Sequence, residues 1–248
     1  MKRETLIEEL RDAVAVITLN RPERRNAFND RLYDDTRAAL AEARGDDRVH
    51  AVLITGAVGA FSAGQDIGEM GSGRAFTPFV DELASFDKPL LAAVNGVAVG
   101  IGLTMLLHCD VVYVGESARL RAPFVSLGLV PEAGSSLLLP LVIGPQRAAE
   151  VLFTSEWINA SRAVDIGLAA RVLPDSGLVP AALAKAVEIA AQPLAALRHT
   201  KQVLLAARSD ALRAARARED QAMAARMGSP ENLAAIRAFR QRRAVPKN

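Results

Sequence analysis

Two short stretches hold residues whose types and spacing suit the stabilisation of a developing negative charge. Phe61-Ser-Ala-Gly-Gln-Asp-Ile67 follows the apolar run Ala51-Val-Leu-Ile-Thr55 and breaks it with small residues. A buried strand that ends in such a turn opens its main-chain N–H groups to close approach by a ligand, which is what an oxyanion requires. The second stretch follows the run Pro89-Leu-Leu-Ala-Ala-Val94: Asn95-Gly-Val-Ala-Val-Gly-Ile-Gly102 spaces its glycines through a turn and leads into the helix-like Leu103-Thr-Met-Leu-Leu-His108. Two strand ends with free N–H groups can face one site. Glycine also serves strand-to-helix turns for conformational reasons alone, so either turn taken singly fits a structural role as well.

Other chemistries find less support. His50, His108 and His199 are scattered without metal-ligand spacing, so no metal is expected. Ser135 and Ser136 lack the Gly-x-Ser-x-Gly setting of a serine hydrolase. Cys109 is the only cysteine, which excludes an internal disulfide framework and reads as a plain buried thiol. Lys plus Arg number 30 against 28 for Asp plus Glu, too even a balance to argue for a nucleic-acid partner. The start Met1-Lys-Arg-Glu-Thr5 lacks an apolar leader, and no apolar run reaches the roughly 18 residues of a membrane span. A cytoplasmic protein without a membrane partner is expected.

The elements that must position the two turns alternate in type. Ala13-Val-Ala-Val-Ile-Thr-Leu19 reads as a strand ended by Asn20-Arg-Pro22, and the arginines Arg21, Arg24 and Arg25 of the following loop read as a solvated surface. From a cap at Asn29 an amphipathic helix runs to about Gly45. Ala51–Thr55, 89–94 and 110–114 read as buried strands, 103–107 as a buried helix, and 68–86 as a loop and then a short helix. Pro131 suits a first helical turn, where the helix dipole would favour Glu132 beside it. Gln146–Phe153 and Ser161–Gly167 read as helices, and beyond Val179 the chain is Ala-, Leu- and Arg-rich with almost no strand signal. Strands alternating with helices point to α/β architecture.

In this order the blocks Asn20-Arg-Pro-Glu-Arg-Arg-Asn-Ala-Phe-Asn29, Phe61–Ile67, 93–100, Cys109-Asp110 and Gly128-Leu-Val-Pro-Glu-Ala-Gly-Ser-Ser136 resemble the crotonase, or enoyl-CoA hydratase/isomerase, superfamily across most of the chain. The resemblance implies an α/β fold of ββα turns wound into a spiral core over residues 1–190, and a helical C-terminal region over 191–248 that packs subunits into a homotrimer or hexamer. It implies an acyl-CoA thioester substrate and no separate cofactor, because coenzyme A is part of the substrate.

The same resemblance assigns roles. The N–H groups of Gln65 and Ile101 become the two oxyanion donors, with Ala63, Gly64, Asp66, Ile67, Gly100, Thr104 and Phe124 as candidate substrate-binding residues around them. Asp66 belongs to the Ala-Gly-x-Asp pattern and is read as fixing its turn, with Glu69 as a lesser candidate acid. Arg24 and Arg25 become candidate ligands of the coenzyme phosphates and adenine. Phe239 and Arg243 become candidates for contact with the coenzyme of a neighbouring subunit. Hydratases of the family use two carboxylates to handle water, but this chain has Thr104 and Phe124 in their places. The remaining acid, Glu132, sits in a motif like that of the Δ3,Δ2-enoyl-CoA isomerases, in which one carboxylate moves a proton from C2 to C4. The expected activity is therefore conversion of a 3-enoyl-CoA to a 2-enoyl-CoA. A hydratase, hydrolase or decarboxylase of the family is the first alternative, and an inactive acyl-CoA-binding protein the second.

Overall fold

A computed structural model describes residues 3–69 and 73–244 of the chain, with side chains through residue 241. The strands are β1 (Leu6–Arg11), β2 (Val14–Leu19), β3 (Ala51–Gly56), β4 (Ala60–Ser62), β5 (Leu90–Val94), β6 (Val97–Val99), β7 (Val111–Gly115), β8 (Arg119–Arg121), β9 (Ile158–Asn159) and β10 (Arg171–Leu173). The helices are α1 (Asp30–Gly45), α2 (Phe76–Ser85), α3 (Ile101–Thr104), α4 (Ser135–Ile143), α5 (Pro145–Thr154), α6 (Ala160–Asp165), α7 (Asp175–Ala190), α8 (Leu194–Ala206), α9 (Ser209–Arg226) and α10 (Pro230–Ala244).

One sheet has the order β1-β2-β3-β5-β7-β10 and a second the order β4-β6-β8-β9. The long strands β3, β5 and β7 lie in the first sheet, and each is followed at once by a three-residue strand of the second. Successive turns of chain thus stack as a spiral, with parallel pairing inside both sheets and, among the described strands, antiparallel pairing only of β1 with β2 and β8 with β9. Every residue of β3 and β5 is buried, as parallel strands covered on both faces require. Their alternation divides two cores. Val52, Ile54, Leu90 and Ala92 pack with Leu32 and Leu40 of α1 and Phe79 of α2, while Leu53, Leu91 and Ala93 meet Leu178, Ala182 and Ala186 of α7.

The amphipathic helix capped at Asn29 forms as read, with the Asn29 side chain accepting the N–H of Leu32 at 3.0 Å. Two features differ from the sequence reading. The glycine turns leave β4 and β6, three-residue strands too short to show an apolar alternation, instead of β3 and β5 directly. The helix expected to begin at Pro131 begins at Ser135, because Ala133 (φ 60°) and Gly134 (φ 77°) are left-handed and cannot continue a right-handed helix. Gly134 also packs closely, since a Cβ there would lie 2.2 Å from Leu212 Cδ1 and the leucine side chain would have to shift.

The C-terminal helices clasp the segment carrying Glu132. Leu212 of α9 joins the main core with Ala133 and Leu138, and Asn232 of α10 donates to the Leu127 carbonyl at 2.7 Å. Among the described residues no single helix is long and apolar enough to cross a membrane.

Candidate active site

The two glycine turns touch. A Cβ on Gly64 would fall 2.7 Å from the Val99 carbonyl oxygen, and one on Gly100 would lie 4.0 Å from the Gly64 Cα. Gly64 is left-handed at φ 89°, so it is required both for its conformation and for this approach. Around Gln65, Phe28 N–H donates to the Gly64 carbonyl and Asp66 N–H to the Phe28 carbonyl, both at 2.8 Å. This parallel bridge engages the neighbours of Gln65 and turns its own N–H the other way. At the second turn Leu103 and Thr104 both donate to the Gly100 carbonyl, and Ile101 is the first residue of α3, where an N–H has no partner within the helix. Among the described residues the Gln65 and Ile101 N–H groups have no recorded acceptor. Two such donors on adjoining turns can hold a negatively charged oxygen.

The first turn is braced from below. Asp66 is buried; its Oδ1 accepts the N–H groups of Gly68 (3.0 Å) and Glu69 (3.2 Å), and its Oδ2 meets Arg21 Nη1 at 3.2 Å. Fixing this turn is the place read for it. Arg21 corrects the sequence reading: it is buried and donates to the Ala27 carbonyl at 2.6 Å and to Glu69 at 2.9 Å. Glu69 also accepts from Asn29 at 2.9 Å, so the lesser candidate acid is engaged in an ion pair facing solvent. Arg24 and Arg25 are exposed, and Arg24 Nη2 lies 3.8 Å from Glu69. Tyr33 of α1 donates to the Gln65 side chain at 2.8 Å.

Glu132 lies in the segment between Pro131 and the head of α4. The residue is half-buried, and desolvation by the surrounding protein, with the Glu219 charge second, pushes its carboxyl up to about 8. No hydrogen bond is recorded for its carboxyl oxygens among the described residues. Its carbonyl accepts from Ser135, and the next carbonyl, that of Ala133, meets His108 Nε2 at 2.8 Å. Burial pushes His108 down to about 4, so the ring is neutral and its proton sits on Nε2 to make this bond. The other histidines also bond to main-chain carbonyls, His50 to Ala190 and His199 to Ala195. Burial pushes the Tyr33 phenol well above its usual range, with the Glu132 and Asp30 charges adding to it.

Thr104 and Phe124 are both buried, and among the described residues the Thr104 hydroxyl has no partner. Ala63 and Ile67 are half-buried at the first turn. Arg240 of α10 donates to the Ile67 carbonyl at 2.9 Å, so this chain's own last helix reaches the turn. Phe239 beside it is exposed, and the Arg243 side chain falls outside the described residues. Glu219, which accepts N–H groups at the head of α4, escaped the sequence reading; on a helix rich in Arg and Ala a single Glu carries no mark of burial.

Residues 9–246 match the family described as enoyl-CoA hydratase/isomerase. The chain is 34% identical over 222 residues to the 1,2-epoxyphenylacetyl-CoA isomerase of Escherichia coli, covering 84% of this chain and 85% of that protein. It is 35% identical to the 2,3-dehydroadipyl-CoA hydratase of the same organism, with 96% of each covered. A crystal structure of an enoyl-CoA hydratase/isomerase from Pseudoalteromonas atlantica superposes with a TM-score of 0.93 at 36% identity, covering 99% of this chain and 100% of that one. The spiral of paired sheets, the adjoining glycine turns and these matches agree: the chain belongs to the enoyl-CoA hydratase/isomerase family, the crotonase superfamily.

Proposed function

We propose that the protein is an enoyl-CoA isomerase that moves a double bond from the 3 to the 2 position of an acyl-CoA thioester. The observation that carries this reading is the environment of Glu132: a desolvated carboxyl without a recorded hydrogen-bond partner, with Thr104 and Phe124 where a hydratase would place its carboxylates. Removing a proton from C2 drives charge onto the thioester oxygen, and the Gln65 and Ile101 N–H groups are disposed to receive it. Losing one such donor typically costs about 3 kcal/mol in the transition state. The same carboxyl then returns the proton at C4, restoring the thioester carbonyl and leaving the double bond between C2 and C3. Atoms balance without water or a second acid. Desolvation suits the task, because a carboxylate poorly stabilised by its surroundings is a stronger base.

The relatives named as hydratases support a second reading, addition of water to a 2-enoyl thioester. A threonine hydroxyl is too weak a base to activate that water. A panel of 3-enoyl, 2-enoyl and 3-hydroxyacyl thioesters, followed by mass-balanced product analysis, separates the two. Interconversion of the enoyl isomers without hydroxyacyl product is expected, and Glu132→Gln should lower it at least about 10²-fold with little change in acyl-CoA affinity. Hydroxyacyl product as the main outcome would remove the isomerase reading, and binding without turnover of any thioester would leave a binding protein.

A further inference from the structure

Glu219 stands on α9, far along the chain from both glycine turns and from the 128–136 block, and the proposed reaction makes no use of it. It is nevertheless 6% exposed, and both carboxylate oxygens are engaged at the head of α4. Oε2 accepts the N–H of Gly134 at 2.7 Å, and Oε1 that of Ser136 at 2.8 Å. The head of a helix gathers unmet N–H groups and about half a positive charge, which favours any nearby anion. Glu132 precedes Ser135, the first residue of α4, by a single turn of chain. An open helix head would therefore stabilise ionised Glu132 and weaken it as a base.

We propose that Glu219, by occupying the head of α4, withholds that helix's positive end from Glu132 and is the positioning residue that keeps Glu132 a strong base. The inference rests on the reading of Glu132 as the proton carrier. The geometry around the turn is consistent with it: Ala133 and Gly134 are both left-handed, His108 holds the Ala133 carbonyl, and Glu219 holds the N–H groups of Gly134 and Ser136, so a carboxylate already occupies the head of the helix that Glu132 precedes. The charged and titratable groups packed about this turn are Tyr33 of α1, His108 after α3, and Glu219 and Arg216 of α9, with Lys201 and Arg208 behind His108. Arg216 is paired with Asp81 at 2.7 Å and Lys201 with Asp110 at 2.6 Å; His108 and Tyr33 are neutral near pH 7. Glu219 is thus the negative charge that acts on Glu132.

The test follows the Glu132 carboxyl by NMR in the full chain labelled with ¹³C at glutamate Cδ, its signal assigned by absence from Glu132→Gln. In the native protein a midpoint near 8 is expected. In Glu219→Gln, which keeps the size but loses the charge, the midpoint should fall by about one unit or more. The pH profile of isomerisation should move with it and its plateau should drop, because a more acidic carboxyl is a weaker base. Glu219→Asp, which keeps the charge, should hold the midpoint nearer the native value. A merely structural Glu219 would lower the plateau and leave the midpoint unmoved, and that result overturns the proposal. If the Gln variant does not fold, Glu219→Ala, in which water can meet the same N–H groups, carries the same expectation. A native midpoint in the ordinary range of about 4 to 5 overturns it without any variant. The NMR midpoint needs no turnover, so failure here is distinct from failure of the base reading, which would appear as full activity in Glu132→Gln.

Discussion

Glu132 is held in surroundings that disfavour its charge, and two consequences follow with opposite signs for activity and stability. A base must be deprotonated, so kcat/KM for isomerisation should rise with pH through about 8 and fall roughly tenfold per unit below it. A profile flat from pH 6 to 9 would exclude Glu132 as the titrating group. For stability, the folded chain binds the Glu132 proton more tightly than the unfolded chain does. Between the unfolded value of 4.5 and about 8 the native state therefore carries the extra proton, and stability declines as pH rises through that window. Glu132→Gln removes this penalty, so its Tm should exceed the native value by a margin that grows from pH 5 to pH 8. Equal margins at both would show that the carboxyl is not desolvated. Thr104 carries a different cost, since a buried hydroxyl without a partner among the described residues costs about 1–3 kcal/mol. Thr104→Val is expected to raise stability in urea by about 1 kcal/mol, whereas a loss would reveal that the hydroxyl is satisfied by water.

At the level of elements, the site depends on turns that short strands deliver and buried side chains brace. Gly64→Ala would place its Cβ 2.7 Å from the Val99 carbonyl oxygen and force an alanine to φ 89°. Strain at such a residue alone costs about 1–3 kcal/mol, and the two turns would have to part. A fall in unfolding midpoint together with lower kcat is expected; unchanged kcat in a folded variant would show that the turns need not touch. Arg21→Met tests the brace. It leaves Asp66 buried without its cation, a change of the kind that typically costs about 3–5 kcal/mol. A loss below about 1 kcal/mol would mean that the N–H groups of Gly68 and Glu69 hold Asp66 by themselves.

Over the whole molecule, α9 and α10 close on the face that carries the site, while other apolar side chains are left uncovered. Val203 and Leu204 of α8, Leu141 of α4 and Phe153 of α5 are all exposed. Exposed apolar surface of this extent favours self-association. Following the expectation from the family, a homotrimer or a dimer of trimers is the predicted state, and a monomer by light scattering at micromolar concentration would overturn it. Own-chain packing already links α10 to the first turn through Arg240 and Ile67, so truncation before Pro230 should impair the site in any oligomeric state.

The sequence by itself determined the family, the alternating α/β order and the two glycine turns, because these depend on local residue types: apolar runs for buried strands, small residues where backbones approach, and a cap at Asn29. It also marked Glu132 as the remaining carboxylate in a setting where Thr104 and Phe124 replace acids. What it could not express was distance between segments. Arg21 reads as one of three loop arginines until Asp66, remote in the chain, is placed beside it. The start of α4 moves from Pro131 to Ser135 through two left-handed residues, one of them an alanine, and alanine has no local preference for that conformation. Glu219 is the clearest case: its neighbours in sequence are those of a solvated helix, and only the docking of α9 on α4 turns it into the carboxylate that caps one helix and sets the charge around Glu132.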